Sequence, residues 1–475
     1  ATNALTPLVE SHAGSQPVLL LMSDIPAALI GREVGALHEV PNQIDCFRPV
    51  TRWAETLTEG RSIPAAVQQA FRIFRSARPG PIALSVPTDL LMARTEGSIA
   101  PLTGGRPACD PALVERAAAL LARARRPLVV AGGGAVAAGA GGELLALARR
   151  LGAPVLTTVM GRGAIPETDP LWLGVLPNKH ASQAAIESAD VVLAVGCRFA
   201  HRSTQGLLLN LTFRAGQTLI HMDLDPRVIG KLFPPALAIV GDARHGLAGL
   251  LAALGSGAPG GDWDAGALAR LRDARSPRFT ETEARLIGIL RGALAPDAIV
   301  VNDQTGINYW MEWHFPVLAP RTFLYPVGSA VLGYAVPAAI GAKIAHPRRQ
   351  VIAVAGDGGF LFSVNELATA VKYRLPIVFL VLNDDRYGAI KYLQETLFGR
   401  WGEADLANPD FPALARAFGA EGARVDLDGL AAALRAGLAR SGPTVVELPL
   451  AVDPPWELTP RGGSGGPAGR SDRPA

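Results

Sequence analysis

Short runs of β-branched and apolar residues recur along the chain, each closed by a Gly, Pro or Asp turn before an Ala/Leu-rich stretch. Runs that are apolar at successive positions predict strands buried on both faces, and the stretches between them predict helices covering parallel sheets. Three blocks repeat this grammar. The first covers residues 1–91, with strands expected at 18–22 and 82–86. The second runs from about 110 to 254, with strands at 128–131, 155–158, 191–195 and 218–222 and helices at 113–124 and 142–151. The third runs from about 280 to 450, with strands at 299–302, 351–354, 377–382 and 444–448 and a helix over 365–373. The fold class is α/β, with doubly wound parallel sheets.

Between the blocks, residues 100–109 and 255–261 are rich in Gly, Pro and Ser and read as linkers. The tail, 454–475, holds almost no apolar residue after Trp456 and is expected to be disordered. The first block opens in mid-pattern, without a leading strand, and reads as part of a domain.

Composition narrows the function. A chain of 475 residues makes about three domains. Its 52 glycines and 38 prolines exceed the usual share and mark many tight turns, because no Gly-X-Y period accompanies them. A net charge of +3 without any Lys/Arg block argues against nucleic acid as a partner. Cys46, Cys109 and Cys197 lie far apart, outside any CxxC, so neither a disulfide framework nor a zinc knuckle is expected. No apolar run is long enough to span a membrane, and the first residues do not resemble a signal peptide. A cytoplasmic protein is expected.

The third block carries the chemistry. The strand at 351–355 runs into Gly356-Asp357-Gly358-Gly359-Phe360, and the next ends at Asn383-Asp384-Asp385-Arg386-Tyr387-Gly388. In a right-handed βαβ unit both strand ends emerge on one sheet edge, where Asp357 and Asp384 can converge. Two oxygen side chains beside a Gly-rich loop at a helix start suit Mg²⁺ holding a diphosphate. The plain alternative is an Asp capping a strand-to-helix turn, with a second acidic turn after the next strand.

These residues also resemble a family. Gly356-Asp357-Gly358 followed by Asn383-Asp384 is similar to the cofactor signature of thiamine diphosphate enzymes, Gly-Asp-Gly through to a closing Asn-Asn. Further matches are Ala1-Thr2-Asn3, Arg78-Pro79-Gly80-Pro81 with Val86-Pro87, 156–166 (LTTVMGRGAIP), Gly196-Cys197-Arg198-Phe199, Asp223-Leu224-Asp225-Pro226, 333–342 (GYAVPAAIGA) and 366–370 (ELATA). The resemblance covers nearly the whole chain. It is greatest to the acetolactate synthase (acetohydroxyacid synthase) large subunits and their 2-oxo acid decarboxylase relatives.

The resemblance implies part of a pyrimidine-binding domain over 1–99, a central Rossmann-like domain over 108–256 and a diphosphate-binding domain over 278–453. It implies thiamine diphosphate and Mg²⁺ as cofactors, the metal held by Asp357, Asp384 and the carbonyl of Arg386. Asp384 stands where the family usually has Asn, a departure that keeps a hard oxygen ligand. Gly356, Gly358 and Gly359 would meet the diphosphate, with Asp303, Gln304, Tyr387 and Gly388 around it, and Leu332 would prop the cofactor in its bent form. His38 would approach the substrate from a loop across a dimer.

The family's activating Glu belongs upstream of the stretch in which this chain starts. Neither Glu10 nor Glu39 takes its place, so no catalytic residue is assigned. A fragment or a misassigned start of a longer enzyme is expected, with a non-catalytic cofactor-binding homologue as the alternative.

Two further features bear on the branch. In the synthases the middle domain holds FAD, and Gly132-Gly133-Gly134, 196–199, 223–225 and Gly241-Asp242 would face it here; the plain reading is that these glycines are turns. Gly306-Ile307 stands where the synthase pattern has Gln and His, and 173–182 departs from its Gly-Met-His-Gly. The implied reaction is decarboxylation of a 2-oxo acid followed by carboligation, in a homodimer or homotetramer. A simple decarboxylase or lyase of the benzoylformate decarboxylase type is the alternative.

Overall fold

The computed structural model describes residues 1–93, 105–176, 179–204, 211–256, 261–273 and 279–456. Every strand pair in it is parallel. In the first block β1 (Val18–Asp24), β2 (Trp53–Thr56) and β3 (Pro81–Pro87) form a sheet in the order β1-β3-β2.

The second block contributes β4 (Pro127–Ala131), β5 (Val155–Thr157), β6 (Trp172–Val175), β7 (Val191–Val195), β8 (Thr218–Asp223) and β9 (Leu237–Val240), ordered β6-β5-β4-β7-β8-β9. Numbered within the block this is 3-2-1-4-5-6, the Rossmann order. The third contributes β10 (Ile299–Asn302), β11 (Phe323–Leu324), β12 (Val351–Gly356), β13 (Val378–Asn383), β14 (Glu421–Arg424) and β15 (Thr444–Pro449), ordered β11-β10-β12-β13-β15-β14.

Local chemistry explains the elements. All residues of β4, β7 and β12 are buried, as apolar runs between two helical layers must be. The helix Gly141–Leu151 turns Leu144, Leu147, Ala148 and Leu151 into the core and stops at Gly152, whose φ of 58° a residue without Cβ adopts freely. Each Leu so buried contributes roughly 1.5–3 kcal/mol. The helix Ala243–Leu254 starts at Asp242, whose carboxylate accepts from the N–H groups of Arg244 and His245.

Several details differ from expectation. Residues 357–361 are already helical, and the helix expected over 365–373 is a 3₁₀ turn, Val364–Glu366, followed by Leu367–Lys372. The helix Ala265–Asp273, between the second and third blocks, packs Leu268 against the middle sheet's core with Trp263 and Leu271 beside it. Packing continues past the expected start of the tail. Trp456 lies against the rings of Tyr309 and Tyr392, while 457–475 fall outside the described residues. Among the described residues no helix is long and apolar enough to cross a membrane.

The second and third blocks share one buried cluster, and a buried ion pair of the second block bonds across it to the third. Arg162, 3% exposed, donates to both oxygens of Glu167, to Met311 O at 2.9 Å and to Phe315 O. Its guanidinium stands 4.3 Å from the Phe323 ring centroid, and Glu167 accepts the N–H of Val317. Every charge-bearing group here has a partner, which makes the burial tolerable. Arg162→Met would strand Glu167 and two carbonyls away from water. We expect it to lower unfolding free energy by about 3–5 kcal/mol in urea titration; a loss below about 1 kcal/mol would mean the pair does not hold the blocks together.

Candidate active site

Parallel register brings the carboxyl ends of β10, β12 and β13 to one edge, with Asn302 opposite Val354 and Gly356 opposite Leu382. The chain leaves β10 to one side for β11 and reaches β12 on the other, so a crevice opens between these two strands. Small residues line it out of necessity. A Cβ on Gly359 would lie 2.8 Å from Asp303 Oδ1, and one on Gly358 would lie 2.5 Å from the Tyr387 ring.

Asp357, 2% exposed, starts the short helix Asp357–Leu361. Its Oδ1 accepts the N–H of Gly358 at 2.8 Å, and its Oδ2 accepts from Asn408 Nδ2 at 2.7 Å. The same Asn408 nitrogen donates to Asn383 Oδ1 at 2.9 Å and to Asp385 Oδ1 at 3.0 Å. Three hard oxygens from two strand-end loops therefore converge on one NH₂ group, whose hydrogens carry partial positive charge. A small divalent cation seeks the same environment.

Asp384 lies beside this group. Its Oδ2 accepts from Arg386 Nε at 2.8 Å. Burial pushes its carboxyl up and the charge of Asp357 adds to that, while Arg386 opposes it. The carbonyl of Arg386 accepts the N–H of Gly388 at 3.0 Å, and Gly388 has no Cβ to crowd Asp384. The expected set of Asp357, Asp384 and Arg386 thus occupies one corner, but Asp357 is the member that joins the converging oxygens. Among the described residues no three His, Cys, Asp or Glu side chains are grouped as a metal cradle; this oxygen set mixes carboxylate with carboxamide.

The other expected residues hold structural bonds. Asp303 is fully buried, and its carboxylate accepts from Gln304, Gly333 and Ala335 N–H groups, which ties β10 to the start of the helix Ala335–Ala345. Burial raises its pKa and those backbone donors lower it again. Gln304 donates to Pro326 O and accepts from the Tyr325 hydroxyl. Leu332 sits in the turn before that helix, next to Gly333, whose φ of 78° and contact with Phe362 exclude a side chain.

His38 is exposed, in a loop closed by Glu39 accepting from Val34, Gly35 and Ala36, and no hydrogen bond joins it to the crevice. Lys391 pairs with Asp405 at 3.0 Å, and Gln394 accepts from Gly402. Glu10, buried, accepts from Gly328 and Ser329, so the first block braces the loop before Leu332.

Asn408 was not anticipated. Its Asn-Pro-Asp context reads as a turn before the helix that Asp410 caps, and that cap is present. Only the antiparallel bridge between Arg386 and Asp405, with Leu406 N–H on Asp385 O and Tyr387 N–H on Ala404 O, carries Asn408 to the site.

A second charged cluster lies at the 1–4 crevice of the middle sheet. There Gly132 and Gly196 approach so closely that a Cβ on Gly132 would lie 2.1 Å from Gly196 O, and Gly134 N–H is spent on that carbonyl. Arg198 donates to Ala13 O at 2.6 Å and Arg78 to Ser15 Oγ at 2.8 Å. Burial pushes Arg78 down to about 10, with Arg198 adding to it. Burial also pushes Asp223 up to about 6. Arg52 keeps Nε and Nη2 buried without partners among the described residues. A cavity of about 460 Å³ elsewhere, against β2 and the helix Ile63–Ser76, contains none of these groups.

Comparison with known proteins assigns the second and third blocks to one enzyme family. Residues 114–250 match the thiamine pyrophosphate enzyme central domain, and residues 303–448 match the thiamine pyrophosphate enzyme C-terminal TPP binding domain. A probable 2-ketoarginine decarboxylase of Pseudomonas aeruginosa is 37% identical over 94% of this chain and 80% of its own length. The probable acetolactate synthase large subunit of Methanocaldococcus jannaschii is 32% identical over 90% of this chain and 75% of its own. For the acetolactate synthase isozyme 2 large subunit of Escherichia coli the identity is 31%, over 98% and 85%. The chain belongs to the thiamine pyrophosphate enzymes, as a thiamine diphosphate-dependent enzyme of the lyase and transferase kind.

Proposed function

We propose that the protein decarboxylates a 2-oxo acid with thiamine diphosphate and Mg²⁺ and passes the product to a second carbonyl compound, as an acetolactate synthase does. The observation that carries the cofactor half is the convergence of Asp357, Asn383 and Asp385 oxygens at the carboxyl ends of β12 and β13. The residues fit the group. Hard oxygens of the kind a divalent cation prefers lie together beside the Gly-rich start of the helix Asp357–Leu361.

Asp357, with Asp384 and the Arg386 carbonyl, would hold Mg²⁺, and Gly356, Gly358 and Gly359 would lie under the diphosphate. When bound, thiamine diphosphate would supply a carbon nucleophile for the oxo carbon and an electron sink for decarboxylation. Asp303 holds the β10 end against the turn containing Leu332, which would prop the cofactor there. The Tyr387 ring and the 404–408 segment cover the Gly358 side and exclude water.

Simple decarboxylation, with a proton in place of the second carbonyl compound, is the second reading. Ile307 favours it, because a fully buried aliphatic side chain stands where the synthase pattern carries a polar one. The relative named as a 2-ketoarginine decarboxylase supports it too. We propose a homodimer or homotetramer, since Phe362, Ile390, Phe398 and Trp401 leave an apolar surface beside the crevice. At the middle domain's 1–4 crevice, Arg198 together with Arg52 and Arg78 of the first block would hold the diphosphate of FAD, with the glycines at 132 and 196 serving strand-end packing.

Three measurements test these readings. Mn²⁺ titration followed by electron paramagnetic resonance should show one tight site that Asp357→Ala weakens at least 100-fold, whereas Asp384→Asn keeps binding within about tenfold; an unaltered Asp357→Ala protein would remove the metal assignment. Incubation with 2-oxo acids should yield a 2-hydroxy-3-oxo acid if carboligation occurs, and only the aldehyde for the second reading. Purified protein should carry flavin absorbance that Arg198→Ala abolishes; a colourless wild type would exclude FAD.

A further inference from the structure

The bonds of Asn408 are unbalanced. Three acceptors, on Asp357, Asn383 and Asp385, crowd its NH₂ group at 2.7–3.0 Å, although that group has only two hydrogens to give. Its other end, Oδ1, is buried and has no partner among the described residues. An Asn that merely shaped its own turn would use that oxygen to accept a local backbone N–H. Here the acceptor is idle and the donor is shared three ways. The side chain is therefore oriented by the oxygens it serves.

Those oxygens need such a donor. Asp357 and Asp385 come from different loops, carry like charge, and are brought onto one atom. Without an electropositive group between them they would repel each other, and the two loops would spread. The backbone bonds Leu406 N–H to Asp385 O, at 2.7 Å, and Tyr387 N–H to Ala404 O, at 2.8 Å, aim the 404–408 segment so that Asn408 reaches this point.

We infer that Asn408 is the positioning residue of the metal site. Its NH₂ group ties the Asp357 carboxylate to the 383–385 loop, which carries Asp384 and leads into Arg386, in the arrangement a divalent cation requires. It bonds an outer lone pair of Asp357 Oδ2 while the carboxylate's remaining lone pairs would face the cation. Carboxylate ligands held by an outer hydrogen bond in this way bind metal 10–100-fold more tightly than unheld ones. The inference rests on the proposed Mg²⁺ site and adds to it a residue that touches neither metal nor substrate.

The test is Mn²⁺ binding to the full chain, read by electron paramagnetic resonance, for wild type, Asn408→Ala and Asn408→Ser, with thermal melting of the cation-free proteins alongside. Asn408→Ala should raise the Mn²⁺ dissociation constant 10–100-fold at unchanged stoichiometry, and saturating Mn²⁺ should restore wild-type affinity for thiamine diphosphate. Asn408→Ser keeps a shorter donor and should fall between the two; it also serves if the Ala protein does not fold. A purely structural role would lower the melting temperature and leave the Mn²⁺ constant where it was. An unchanged constant in either folded variant overturns the inference while leaving the metal site standing. If wild type shows no Mn²⁺ site sensitive to Asp357→Ala, the metal reading fails and the inference with it.

Discussion

Parallel pairing of β12 with β13, and of β10 with β12, is the constraint on which the rest depends. Parallel strands end together only if each is followed by a crossover on the outside of the sheet, and the crossovers leave all functional loops on one edge. The pairing therefore brings Asp303, Asp357 and Asn383 within one crevice although more than twenty residues separate each from the next. Side chains on that edge need no strand of their own. Segment 404–408 joins it by a single antiparallel bridge and three hydrogen bonds from one Asn.

Concentrating oxygens at such an edge carries an electrostatic penalty, and the structure offsets it differently at each carboxylate. Asp303 spends its charge on three backbone N–H groups. Asp384 leans on Arg386. Asp357 shares Asn408 with Asn383 and Asp385, an arrangement that ties two loops through a neutral donor. At the other end of the scale Arg162 and Glu167 are buried with every polar atom engaged, and no vacancy is left for a ligand. The Arg162–Glu167 pair thus serves as a joint, its partners saturated.

The strands that the hydrophobic pattern located were mostly those inside the sheets, such as β4, β7, β12 and β13. The five it missed, β2, β6, β9, β11 and β14, all lie at sheet edges. An edge strand has a neighbour on one side only; β9 alternates buried with exposed residues and β14 is largely unburied, whereas β6 is fully buried but only four residues long. Short mixed runs of that kind do not stand out from loops. The same reasoning covers the helix Ala265–Asp273, whose one buried residue, Leu268, leaves no periodic stripe to find.

The sequence by itself determined the α/β class, the interior strands, the Gly-Asp-Gly turn and the pair of polar strand ends that belong together, because local spacing and apolar runs encode them directly. It also carried enough ordered motifs to reach the family. Only the tertiary structure decided which oxygens meet. It placed Asp385 and Asn383 with Asp357, turned Asp384 toward Arg386, made Asp303 a cap, and brought in Asn408 from a segment that reads as an ordinary turn. The reason is physical: which way a loop side chain points depends on the bonds its neighbours leave unfilled, and those neighbours are set by crossovers that no local pattern records.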